Sequence, residues 1–134
     1  MSKLVWAIPC FRPIVDVGSN LVTYVDVLDS LTCPAFPGQG PFLVMATLWQ
    51  CEGESELDIR VVLYSPEGNQ ILKVDADNAE IPAQIRRARV HVGMPPFPIQ
   101  IPGRYEFGIQ VREKGKWKEV TRVPLDVEAP PPVT

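Results

Sequence analysis

Cys10, Cys33, Cys51 and His91 are the residues of this chain whose types best suit chemistry. Thiolates and imidazoles serve as nucleophiles, general bases and metal ligands. Together they could make a site of three cysteines and one histidine around zinc. Structural zinc, however, is usually held by ligands in close pairs such as Cys-x-x-Cys, and no such pair occurs. Isolated cysteines more often behave as small buried hydrophobes. His91 alternates with Arg87 and Arg89, which places all three on one strand face, expected to meet solvent. Neighbouring arginines disfavour an imidazolium but do not by themselves make a site. The expectation is therefore no catalytic residue, no metal and no cofactor. An enzyme with an unrecognised pocket stays open, because a cysteine and a histidine meet in space rather than in sequence.

Oxygen ligands cluster in Asp75-x-Asp77-Asn78-x-Glu80. A calcium loop needs glycine at its sixth position, where Glu80 stands, so a solvated turn is expected instead. Arg86, Arg87 and Arg89 could hold an anion, but charged residues on an exposed strand face are ordinary. The stretch Arg112–Glu119 mixes signs and is no phosphate groove, and the Trp117 ring can simply cover lysine stems. The formal charge of −3 argues against nucleic acid, whose phosphates call for a basic face.

Elements that could position such groups read as strands. Leu57, Ile59, Val61 and Leu63 alternate with mostly polar neighbours, as do Tyr105, Phe107, Ile109 and Val111. Period-two alternation marks a strand with one face in a core. Ala88–Met94 and Thr121–Val127 alternate likewise, and Pro124, lacking a backbone donor, predicts an edge for the latter. Residues 4–8 and 10–16 read as an opening strand interrupted at Pro9. Ser65-Pro66-Glu67-Gly68 has type I turn chemistry and predicts a hairpin between strands 57–65 and 70–75. Glu113–Lys116 predicts a second hairpin. Asp77–Gln84 is the one stretch suited to a short helix or turn. With 15 prolines spread along the chain, no long helix fits.

The chain has 134 residues, enough for one domain that buries roughly two thirds of its unfolded surface. About eight short strands with frequent turns predict an all-β fold, an immunoglobulin-like two-sheet sandwich, with a small β-barrel as the alternative. Residues 1–128 are expected to form the domain and 129–134 a proline-rich extended tail. No apolar run reaches the roughly 20 residues of a membrane helix. The N-terminal residues do not resemble a signal peptide, and three cysteines are an odd number for a stapled secreted domain. The expected location is cytoplasmic, with free thiols. One local feature favours the immunoglobulin-like form: Gly103 and Tyr105, in Pro102-Gly103-Arg104-Tyr105, suit a tyrosine corner, whose hydroxyl returns to the upstream backbone.

Several segments in order carry a resemblance. They are an N-terminal strand ending near Cys10, the strand Leu21–Leu28 leading to Phe36-Pro37, and a strand around Ala46–Trp49. They continue with Val62-Leu63-Tyr64-Ser65-Pro66-Glu67-Gly68, Pro102-Gly103-Arg104-Tyr105-Glu106-Phe107 and Val123-Pro124-Leu125-Asp126-Val127. On these, the chain resembles a bacterial family of small β-sandwich proteins of unknown function. The resemblance implies the fold and transfers no catalytic residue; Asp77–Arg87 falls outside the pattern.

Partner contacts are expected in three places. The long loop Asp29–Pro41 holds Phe36, and the loop Met94–Pro102 holds Phe97, each a rigid aromatic in a proline frame that could anchor a partner or plug the sandwich end. In the strand Phe42–Trp49 both rows are apolar. Taking Phe42, Val44, Ala46 and Leu48 as the core row leaves Leu43, Met45 and Trp49 outside, where a second copy of the chain could cover them. The function expected is a non-catalytic interaction or structural module working through protein contacts, with a second copy of the chain as one candidate partner. A small-ligand or carbohydrate-binding domain is the alternative. Neither nucleic acid nor membrane is expected as a partner.

Overall fold

The computed structural model describes residues 2–53, 56–81 and 86–132. Among the described residues, eight longer strands carry the fold: β1 (Lys3–Val15), β2 (Val22–Val27), β5 (Leu43–Gln50), β6 (Glu56–Tyr64), β7 (Gln70–Glu80), β8 (Arg87–Met94), β10 (Gly103–Glu113) and β11 (Lys116–Glu128). Three short ones, β3 (Ser30–Thr32), β4 (Gly38–Gln39) and β9 (Pro98–Ile99), lie in the connections. The order β2-β1-β5-β8 makes a four-stranded sheet, and β3-β11-β10-β6-β7 a five-stranded one. The protein is an all-β sandwich.

Its core follows from the alternation. Tyr105, Phe107, Ile109 and Val111 of β10 and Leu57, Ile59, Val61 and Leu63 of β6 are buried on one side of the five-stranded sheet. Val90, Val92 and Met94 of β8 meet them in one cluster from the other sheet. Phe107 pairs with Leu63, and Ile109 with Val61, so neighbouring strands present large side chains in register. Thr47, the polar member of its row, is wholly buried but satisfied. Its hydroxyl donates to the Val90 carbonyl at 2.7 Å and accepts the Trp49 indole N–H at 2.8 Å.

Both predicted hairpins form. Gly68 N–H donates to the Ser65 carbonyl at 2.9 Å, with Gly68 at a φ of 87°. Lys114 and Gly115 have φ of 53° and 77°, the left-handed pair that matches strand twist in a two-residue turn. Three expectations need correcting. Pro9 does not interrupt β1: its carbonyl accepts from Leu28 N–H, so its missing donor lies on the side away from β5 and costs that ladder nothing. Residues 77–80 continue β7 rather than turning, paired as far as Glu56↔Glu80; residues 82–84 of the proposed turn lie outside the described residues. The loops Asp29–Pro41 and Met94–Pro102 are tied together by the pairing of β4 with β9. Pro124 lies in a strand that is an edge only in part: β3 covers β11 from Asp126 to Glu128 and leaves the rest of that side open.

Candidate functional site

The outer face of the four-stranded sheet departs from the polar exterior that a two-layer sandwich predicts. Cys10, Val44 and Ala46 are buried there in a second, smaller cluster, with Trp6, Ile8 and Tyr24 packed over it. Tyr24 stands on β2 and His91 on β8, strands at opposite edges of this sheet. Their side chains nevertheless meet, with Tyr24 Oη and His91 Nε2 hydrogen-bonded at 3.1 Å. The sheet therefore curls, and the Tyr24 ring closes its concave side, edge-on to both Trp6 and His91. Arg89 adds a second tie by donating to the Asn20 carbonyl. Burial raises the Cys10 thiol pKa and the Tyr24 hydroxyl pKa. Burial, then the Arg89 charge, lowers that of His91. Each shift favours the neutral group, which suits a lid and opposes an activated nucleophile.

Beyond Cys10 the arrangement changes. The pairing of β1 with β5 ends at Cys10, and residues 12–15 pair with β2 alone. The two strands thus run on as an arm. Its tip is firmly held: Asp16 N–H donates to the Leu21 carbonyl, Asn20 N–H to the Asp16 carbonyl, and the Ser19 N–H to the Asp16 carboxylate. The Ser19 bonds hold the Asp16 carboxyl below its usual pKa. This rigid tip displays apolar side chains to water. Val17 is 99% exposed and Leu21 71%, and Phe11, Ile14, Val15 and Val27 are exposed beside them.

A groove of about 510 Å³ opens on another side, between the N-terminal half of β1 and the β10–β11 hairpin. Leu4, Val5, Trp6, Val120 and Val123 line it, with Lys3, Lys118 and Glu113. Ser2 also lines it, and its buried Oγ has no hydrogen-bond partner. Both walls are strands with one neighbour at that point, and both carry a register shift, at Val5 and at Val120.

The residues predicted to bind partners are placed differently. Leu43, Met45 and Trp49 are wholly buried in the main core, which corrects their assignment to an outer row. Alternation could not choose between two apolar rows; the row of larger side chains fills the space between sheets, and the smaller Val44 and Ala46 fit inside the curl. Phe97 is wholly buried too, its ring so close to Gly40 that a Cβ there would come within 2.5 Å of it. It plugs the sandwich and is no contact anchor. Phe36 is half-buried against the core. Tyr105 Oη donates to the Ile101 carbonyl at 2.7 Å, and Gly103 just before it has a φ of 138°. His91 is not simply solvent-facing, since Tyr24 covers it. The three cysteines are free and do not converge: Cys10 lies in the small cluster, Cys33 and Cys51 in the main core. Asp75 is engaged by Arg60 at 2.7 Å, on a strand rather than in a calcium loop. Arg86 and Arg87 are exposed.

The arm was missed by the sequence reading, although Asp16-Val17-Gly18-Ser19-Asn20 carries a signal. It is a turn rich in Asp, Gly, Ser and Asn with an unexpected valine, flanked by Ile14-Val15 and Leu21-Val22.

Fold and site together define a β-sandwich domain with one polar sheet face, one curled apolar face and an apolar arm. Residues 15–128 match the family of unknown function DUF6941, and the chain belongs to that family. No curated protein matches the sequence.

Proposed function

We propose that this domain is a non-catalytic interaction module, an immunoglobulin-like sandwich that binds protein through the β1–β2 arm. The observation that carries the reading is the rigid tip with Val17 and Leu21 in water. Monomers rarely concentrate exposed apolar side chains on one projecting element unless a partner covers them. Burying each would contribute about 1.5–3 kcal/mol. The tyrosine corner supports the immunoglobulin-like description. A neutral His91 and an unactivated Cys10 support a non-catalytic role. Free buried thiols support a reducing, cytoplasmic location. A negative formal charge supports protein over nucleic acid as partner.

The test is a photo-crosslinking residue at Val17, with the same residue at Lys114 on the β10–β11 turn as control, used in cells. Protein adducts at Val17 and none at Lys114 are expected. Equal labelling at both positions, or none at Val17, overturns the reading.

A second reading, a small-ligand site in the groove, is favoured by one observation: the buried, unpartnered Ser2 hydroxyl. Val120→Trp should fill the groove and abolish any ligand-induced shift of the nuclear resonances of Lys118 to Val123. Shifts that survive the substitution would place the ligand elsewhere.

A further inference from the structure

We infer that the groove between β1 and β11 takes an extended peptide of a partner protein, laid in as a strand along β11. The inference goes beyond the arm, and it gives this groove a peptide where the second reading gives it a small ligand.

The short strand β3 shows what the groove lacks. It lies parallel to β11 from Asp126 to Glu128, and the Asp126 N–H donates to the Asp29 carbonyl at 3.2 Å. Among the described residues, no strand continues that column beside Thr121–Leu125. The inward row of β11 registers the change. Leu125 and Val127, at the β3 end, are buried in the core. Val123 and Thr121, next in the same row, are only half-buried and line the groove. Alternate residues of a strand turn their backbone groups to the same side. Since Asp126 turns its N–H toward β3, the Arg122 N–H and C=O and the Pro124 C=O face the open column. From Thr121 to Val127, β11 keeps an unbroken register with β10. The register shift at Val120 and the missing donor of Pro124 keep this edge from accepting a long strand, a guard that exposed edges need, and leave room for a short one.

The dimensions fit one chain. The β1 wall runs from Ser2 to Ala7, five steps of about 3.3 Å, or about 17 Å. A volume of about 510 Å³ over that length is a cross-section of about 30 Å². One strand in packed sheets occupies about 48 Å², so a single chain fits with its outer side chains in water. Chemistry then selects a peptide over a hydrocarbon. A hydrocarbon would strip water from the backbone groups of Arg122 and Pro124 and return no bond, which leaves them unsatisfied at full cost. An extended peptide returns both a donor and an acceptor, as strand addition does. Its inward side chains meet Leu4, Ala7, Val120 and Val123, so they are apolar at every second position. The Ser2 hydroxyl, buried and unpartnered in the same groove, is a donor for a peptide carbonyl.

Panning a phage library of random octapeptides on the full chain tests this. Sequences with apolar residues at alternate positions should be enriched. The best of them, synthesised, should shift the amide resonances of Lys118 to Val123 and slow hydrogen exchange at the Arg122 amide. Methylating one of its two alternate sets of backbone nitrogens should abolish binding, which a contact made by side chains alone would survive. Val120→Trp should remove binding while keeping a cooperative melt, and Ser2→Ala should weaken it about fivefold, the worth of one hydrogen bond. Four results overturn the inference: no enriched peptide, enrichment without alternation, a peptide that binds equally well with either set methylated, or one that binds Val120→Trp like the wild type. If no peptide is enriched while a small molecule shifts those resonances in the wild type but not in Val120→Trp, the small-ligand reading stands and the peptide falls. The crosslinking result at Val17 bears on the arm alone, so failure there leaves this inference to its own test.

Discussion

The outer faces of the two sheets solve one problem in opposite ways. On the five-stranded sheet the outward row is polar and holds itself together by charge. Arg60 pairs with Asp75 and stacks over Trp117 at 4.1 Å from the ring centre; Arg122 lies over Tyr64 at 4.2 Å and pairs with Glu119. Gly108 sits beneath, and a Cβ there would strike the Glu119 carboxylate, so the missing side chain is what lets this layer close down. Such a face needs no further cover. On the four-stranded sheet the outward row is Cys10, Val44 and Ala46, and leaving it wet would cost the burial that drives folding. The sheet covers it by curling until Tyr24 reaches His91. The lesson is that an apolar outer row need not signal a partner, because curvature can serve instead. The partner signal sits where curvature stops, on the arm beyond Cys10.

Substitutions can break this contrast. Ala46→Asp places a charge where Ala46 has no exposure, and should cost about 4 kcal/mol or prevent folding, as read by urea denaturation. A loss under about 1 kcal/mol would mean the curled face is open to water. Tyr24→Ala removes the lid and should cost about 2–3 kcal/mol, because the ring is only partly buried. It should also speed alkylation of Cys10, since the thiol loses the burial that raises its pKa. An unchanged alkylation rate would show that something else shields that sulfur. Arg60→Ala, on the polar face, should cost only about 1 kcal/mol, from an ion pair and a stacked ring that are both partly solvated. High salt should remove the ion-pair part and leave the stacking. If Arg60→Ala proves as damaging as Tyr24→Ala, the two faces do not differ in kind.

The parts of the fold that were legible are those where one signal stands alone. In β10 the apolar and polar rows are unambiguous, and the side chains fall as the alternation predicts. Turn chemistry located both hairpins, because Gly68 and Gly115 meet a backbone requirement few other residues satisfy. In β5 the same rule failed, since alternation carries no information when both rows are apolar. The row was decided by side-chain volume and by the Thr47 hydroxyl, which needs the Val90 carbonyl. Phe36 and Phe97 resisted assignment for a related reason: a proline frame fixes an aromatic but does not say which way it faces. The arm depended on where β5 stops pairing with β1, a long-range fact with no local mark except the valine in the Asp16–Asn20 turn.

The smallest effect is a pH dependence that separates the two faces cleanly. Burial and then Arg89 lower the His91 pKa below its ordinary 6.5, so the folded curled face prefers neutral imidazole. Its hydrogen-bond partner is Tyr24 and the charge that acts on it is that of Arg89, and neither supplies a negative charge near neutral pH that would favour imidazolium. An unfolded chain has an unshifted histidine and binds the proton more readily. The unfolded state therefore gains protons first on acidification, and stability falls with pH. The stabilising contribution is complete above 6.5 and is lost as pH drops from there through the folded-state pKa. The polar face titrates elsewhere: its Asp75 carboxyl is held below 3.8 by Arg60, and so stays charged across this window. Melting temperature should be flat between about pH 8 and about pH 7 and decline toward about pH 5. His91→Gln should flatten that decline, because it keeps a polar partner for Tyr24 without a titrating group. A wild type whose melting temperature holds or rises on acidification would mean that His91 is charged in the folded protein, and that Tyr24 does not shield it.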